Sequence, residues 1–234
     1  DLVKYRLTDE GLSEKNLSLV TSTGTLIPLQ FSHSEEGEGK TLSFVAEVAP
    51  NSTSTYTIRD SGGRKTKAGV HVTADKQTVV ISNNLLSVRL PSERQKNFNP
   101  AVPARELQAP ILSFRSGESK WLGSSKILTE RPVRAMRVEL VSSGPVYAEI
   151  VYELEWEGGG YYRAQIQVIH RVPVVKIVEE YDLGSLDGSD FWELQLAEGW
   201  SPDRMEVART HGNGSSIDKG KVKPLAGLAK MKNP

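Results

Sequence analysis

Strict alternation of apolar and polar positions dominates this chain. From Val146 to Trp156 the even positions are Val146, Ala148, Ile150, Tyr152, Leu154 and Trp156, and the odd ones include Glu149, Glu153 and Glu155. A period of two sends the first set to one face of a strand and the carboxylates to the other. Gly158-Gly159-Gly160 then supplies the backbone freedom of a tight turn. Alternation resumes with Tyr162, Ala164, Ile166 and Val168 on one face and Arg163, Gln165, Gln167 and Arg171 on the other. The pattern predicts a long β-hairpin.

The neighbouring segments extend it. Met136, Val138 and Leu140 alternate with Arg137 and Glu139, and Gly144-Pro145 turns the chain into the hairpin. After Pro173, the run from Val174 to Val178 is apolar on both faces, so it predicts a central strand covered on both sides. Four consecutive strands between about Val133 and Asp182 make an antiparallel meander. Upstream, Leu17 to Val20, Leu26 to Phe31, Leu42 to Val48 and Thr55 to Ile58 predict short strands, followed by Val70 to Thr73, Thr78 to Ser82 and Leu86 to Leu90. Asn83-Asn84 suits a hairpin turn. The stretch Ser92 to Ala109, with Pro100 and Pro103 inside it and Pro110 beside it, predicts a long irregular insertion. No segment has helical periodicity and no repeat is evident. The expected fold is all-β, an antiparallel β-sandwich or supersandwich at 69–214, preceded by a small β subdomain at 1–60. The polar, basic stretch 61–68 is the expected linker or loop, and the Gly- and Lys-rich 215–234 a flexible tail.

Composition narrows the classes. Lys plus Arg and Asp plus Glu both total 29, so the formal charge is zero. Nucleic-acid binding draws on a basic excess that is missing here, and no nucleic-acid partner is expected. The absence of cysteine excludes disulfides, thiolate nucleophiles and Cys-type zinc sites. No apolar run approaches a membrane span. Asp1 fits the first residue left after removal of a leader, and the triplets at Asn16, Asn51 and Asn213 matter only in a eukaryotic secretory setting.

Three stretches carry a resemblance. Ile81-Ser82-Asn83-Asn84-Leu85-Leu86-Ser87-Val88-Arg89-Leu90 resembles the opening strand pair of the β-supersandwich, galactose-mutarotase-like domains of bacterial polysaccharide lyases and glycoside hydrolases. Gly144-Pro145-Val146 through Tyr181-Asp182-Leu183 resembles their run of long antiparallel strands. Leu42 to Pro50, and on to Tyr56, is similar to a short β segment that precedes such domains. In those enzymes a helical toroid or barrel often carries most of the chemistry, and no helical module is evident in this sequence. The resemblance therefore implies a noncatalytic accessory module of a secreted or periplasmic bacterial carbohydrate-active protein. It would bind a polysaccharide or oligosaccharide, or support an adjacent catalytic domain. The alternatives are a lyase or hydrolase fragment with its own site, and a structural or adhesion module with a protein partner.

Flat aromatic faces suit the C–H faces of sugar rings. Trp121, Trp192 and Trp200 lie beside turns or strand ends and are the candidate ligand-binding residues, although each reads more simply as a half-buried aromatic at a sandwich edge. Trp156 falls on the apolar face and is expected in the core. Tyr161 and Tyr162 must face opposite ways. Asp182, Asp187 and Asp190 cluster around Gly184 and Gly188; Asp187 and Asp190 are weak calcium candidates, set against a plain solvated turn. Glycoside hydrolysis needs two carboxylates at a set separation, but Glu149, Glu153 and Glu155 opposite Arg163 and Gln165 read more simply as a solvated sheet face. His33, His71, His170 and His211 have no ligand-pair spacing, and His170 is in register with Ile166 and Val168. Gly37-Glu38-Gly39-Lys40-Thr41 lacks the first glycine of a P-loop and precedes a strand. No catalytic residue and no cofactor is expected beyond that calcium.

Overall fold

A computed structural model describes residues 1–7, 17–33, 40–60, 66, 69–182, 192–195, 205–211 and 214–220. The regular structure of the described residues is almost entirely strand, with a single short 3-10 turn among them, so the fold is all-β and its sheets are antiparallel. Among the described residues no helix is long and apolar enough to cross a membrane. The chain divides into two compact units, Asp1–Gln195 and Leu196–Pro234.

The larger unit is organised around two facing sheets. One has five strands, β10 (Arg94–Pro103), β13 (Pro132–Ser143), β14 (Tyr147–Trp156), β15 (Tyr161–Ile169) and β16 (Val175–Asp182), in that spatial order. The other has four, β11 (Ser113–Ser116), β9 (Leu86–Pro91), β8 (Thr78–Ser82) and β7 (His71–Ala74). Alternation decides what faces inward. Ile150, Tyr152, Leu154, Trp156, Ile166 and Val168 from the first sheet meet Val79, Ile81, Val88 and Leu90 from the second, all essentially without exposure. Complete burial of these side chains is the main stabilising contribution, roughly 1.5–3 kcal/mol for each large apolar one. The positive φ values of Gly158, Gly159 and Gly160 make the turn that sets the β14–β15 register, Glu149 opposite Gln167 and Leu154 opposite Tyr162. At Gly160 a Cβ would also meet the Asp182 carbonyl oxygen at 2.4 Å.

The described residues up to Asp60 form a second β layer pair with its own core. One three-stranded sheet has β1 (Leu2–Leu7), β5 (Lys40–Val45) and β4 (Leu29–His33); the other has β3 (Leu26–Ile27), β2 (Leu17–Thr21) and β6 (Tyr56–Asp60). Leu19, Leu42 and Phe44 are buried between them. A third apolar cluster joins this layer pair to the large sheet: Val146, Tyr147 and Ile169 pack with Leu2, Val45 and Val172. In the same unit, β12 (Ser124–Ile127) pairs with β17 (Trp192–Gln195). In the smaller unit, β18 (Met205–His211) pairs with β19 (Gly214–Gly220).

The structure corrects three expectations. The apolar run Val174–Val178 is not in a covered central strand: β16 is the edge of its sheet, and Val174, Ile177 and Val178 are exposed. Ser92–Ala109 is not an irregular insertion, because β10 and a short 3-10 turn at Ala104–Glu106 occupy most of it. Pro100 lies where the β10–β13 register shifts, between Asn97 and Val102, so its missing N–H costs no ladder bond. At the start of the expected tail, Gly214–Gly220 pairs with Met205–His211, and 221–234 lie outside the described residues. Glu149, expected in solvent, is 5% exposed. Except for Thr66, the expected linker at 61–68 lies outside the described residues.

Candidate functional site

The odd positions of β14 and β15 face away from the sandwich core, and there they build a polar cleft. Across the sheet, Ser142, Glu149, Gln167 and Lys176 stand in one row, because Glu149 pairs with Ser142 and Gln167, and Gln167 with Lys176. The next row has Val151, Gln165 and Val178. β1 closes one side with Leu2 and Lys4. Leu2, Lys4, Glu149, Gln165, Gln167, Ile169, Lys176 and Val178 together line a cleft of about 480 Å³.

Its centre is a buried carboxylate that keeps its charge satisfied by amides. Gln165 Nε2 donates to Glu149 Oε1 and Gln167 Nε2 donates to Glu149 Oε2, both at 2.6 Å. A buried anion without such donors would be strongly unfavourable. The carboxylate accepts only, so it also decides which way the two amides lie: each N–H side turns to Glu149 and each carbonyl oxygen is left for other donors. Lys4 and Lys176 add exposed ammonium groups, Lys4 Nζ lying 5.2 Å from the Tyr147 ring centroid. Leu2, Ile169 and Val178 supply apolar wall. The cleft thus offers fixed acceptors, movable donors and apolar surface, and among the described residues no second buried carboxylate stands beside Glu149.

The aromatic candidates are used differently. Trp121 lies on the outer face of the four-stranded sheet, with the Arg89 and Arg115 guanidinium carbons 4.2 Å and 4.9 Å from its ring centroid. Trp192 packs against the main core and donates its indole N–H to Glu179 Oε1 at 2.9 Å. The Tyr162 hydroxyl donates to the same oxygen. Neither indole stacks on a second ring among the described residues; the aromatic pairs there are Phe44–Tyr56 and Tyr152–Tyr162. Trp156 is fully buried, as its place in the alternation requires. Tyr161 is 40% exposed and Tyr162 is buried, on opposite faces. Trp200, Asp187 and Asp190 lie outside the described residues.

A second depression, of about 310 Å³, is lined by hydroxyls of Thr21, Ser22, Thr23 and Ser54 together with His170 and Arg171. Burial lowers the His170 pKa below its ordinary 6.5, and the Arg171 charge adds to this; the Gly69 backbone and the Glu47 carboxylate oppose it without prevailing. Arg171 itself pairs with Glu47 at 2.9 Å.

Sequence reasoning placed Glu149, Gln165 and Gln167 on one face but treated that face as solvated. The missing signal was β1, which brings Leu2 and Lys4 over it from far away in the chain. A comparison with protein-family models and one with curated proteins each give no match.

Proposed function

We propose that this chain is a noncatalytic β-sandwich module of a secreted bacterial carbohydrate-active protein, and that it holds a short stretch of glycan in the Glu149 cleft. The observation that carries this reading is the fixed polarity of Gln165 and Gln167. A sugar presents hydroxyl groups that donate and accept, set on C–H faces that favour apolar contact. Two oriented amide oxygens, two mobile ammonium groups and an apolar wall answer those features in one place. Aromatic stacking becomes the lesser contribution, since Trp121 contacts two guanidinium groups and Trp192 has its N–H and part of its ring engaged.

The reading as an enzyme fragment is weaker on the same geometry. Each Glu149 oxygen accepts an amide N–H, which suits a positioning role, and among the described residues no second buried carboxylate stands beside it to share acid–base work. The reading as a module with a protein partner draws on the β16 edge, where Val174 and Tyr181 are 57% and 65% exposed.

Affinity electrophoresis on a panel of soluble neutral and acidic polysaccharides tests the proposal. Gln165→Ala and Lys176→Ala should each reduce retardation on any polysaccharide that binds, while Trp192→Phe should not. If both cleft variants stay folded and keep full retardation, the cleft is not the glycan site.

A further inference from the structure

We propose that Arg89, Arg115 and Trp121 form a separate site for a small oxyanion, the carboxylate or sulfate group of a ligand, on the outer face of the four-stranded sheet. Arg89 alternates with the buried Val88 and Leu90, so it points out of the sandwich. In the β11–β9 register Arg115 lies opposite Ser87 and Arg89 opposite Ser113, which puts both arginines on that outward face in adjacent strands. Trp121 is carried to them by a bridge on its C-terminal side. Phe114 and Leu122 exchange backbone hydrogen bonds of 3.0 Å and 2.7 Å, fixing the loop against β11.

Among the described residues this cluster has no ion-pair partner. Arg105, Arg134, Arg137, Arg163 and Arg171 each have a glutamate within ion-pair distance. Among the described residues neither Arg89 nor Arg115 has one, although the two guanidinium carbons sit 4.2 Å and 4.9 Å from the same ring centroid. The indole face attracts cations and offsets part of their mutual repulsion, but it brings no negative charge. Asp75 is near enough to sense Arg89, yet its oxygens are committed to its own turn: Oδ1 accepts from the Gln77 and Thr78 N–H groups, each at 2.7 Å, and Oδ2 from the Thr78 hydroxyl at 3.1 Å. Arg115 Nε donates to Ser87 Oγ at 3.3 Å, which holds the guanidinium plane and leaves its terminal N–H groups for another acceptor. Both arginines are partly exposed. Two held forks of N–H donors without a carboxylate are what an oxyanion needs, because each fork can bond two oxygens at once. The cluster uses none of the cleft residues, so the site goes beyond the glycan reading and stands or falls apart from it.

The indole N–H signals of nitrogen-15-labelled protein test this, with Trp121 assigned through Trp121→Phe. Sodium sulfate is titrated in place of sodium chloride at constant ionic strength, then glucuronate, with glucose as the uncharged control. The expected result is a saturable shift of the Trp121 signal with sulfate and glucuronate but not glucose. Half-saturation should move about tenfold or more in Arg115→Gln and in Arg89→Gln. Equal saturation by sulfate and glucuronate assigns the site to the bare oxyanion. Tighter saturation by glucuronate assigns it to an acidic sugar whose ring also meets the indole; both results uphold the site. Thermal melts check folding, and if Arg89→Gln fails to fold, Arg115→Gln carries the comparison. No saturable shift with either anion, or unchanged saturation in the folded arginine variants, overturns the proposal.

Discussion

Gln30 uses both ends of its amide to hold the first β layer pair to the large sheet. Its Oε1 accepts from the Val146 and Tyr147 N–H groups at 3.1 Å and 3.0 Å, and its Nε2 donates to Ser142 Oγ at 2.8 Å. Gly144 leaves the room for this, since a Cβ there would lie 2.4 Å from Gln30 Cδ. Gly144→Ala should therefore displace the amide and cost about 1–3 kcal/mol in urea denaturation, from lost buried hydrogen bonds and overpacking. The penalty should shrink in a Gln30→Ala background, because the two positions act through one contact. His170 makes a second residue-scale prediction. Its folded pKa is depressed by burial, so the unfolded chain takes the proton more readily. Its contribution to stability is whole above the ordinary value of about 6.5 and falls as pH drops below it. Melting temperature followed from pH 8 to 5 should show this fall, and His170→Gln should flatten it.

Among the elements, the hairpin of β14 and β15 was fully legible, because period-two alternation and three consecutive glycines specify both the faces and the register. Glu149 and Gln167 are opposite each other for that reason, and folding the sequence about the turn pairs them. Their burial was not legible, since a strand pattern does not say what lies over a polar face. The apolar run of β16 misled for the related reason that a strand with apolar residues on both faces reads as covered, whereas sheet order made it an edge. β10 was hidden by its prolines: a bulge accommodates Pro100, and Pro103 is the last residue of the strand. The aromatic candidates were found by residue type, and type does not reveal that Trp121 meets two arginines or that Trp192 bonds Glu179. Two buried tyrosines of this sheet give an element-scale prediction. Burial raises the ionisation of Tyr152 and of Tyr162 far above the ordinary 10, and the Glu179 carboxylate bonded to Tyr162 adds to the effect. Both should remain protonated while the fold persists in an ultraviolet titration at alkaline pH. Their contribution to stability is whole below about pH 10 and declines above it, so the tyrosinate signal of these two should appear only together with unfolding.

At the scale of the molecule, the described residues of the unit Asp1–Gln195 form three separate apolar clusters, and the smallest of them is the joint between the two layer pairs. The cleft crosses that joint, with β1 on one side and β14 to β16 on the other. The joint also has a consequence for the order of events in folding. The Gln30 bonds to Val146 and Tyr147 span 116 and 117 residues, whereas the strands from β13 to β16 pair with their sequence neighbours. Closing a loop of that length costs chain entropy before any contact repays it, so the meander should assemble first and the Gln30 contact should close after the rate-limiting barrier. A contact made that late leaves the refolding rate alone and governs how long the native state lasts. Gln30→Ala should accordingly steepen loss of the native state in stopped-flow unfolding while the refolding limb overlays the unaltered protein. A matching slowdown of refolding would instead put the docking of the two layer pairs before the barrier.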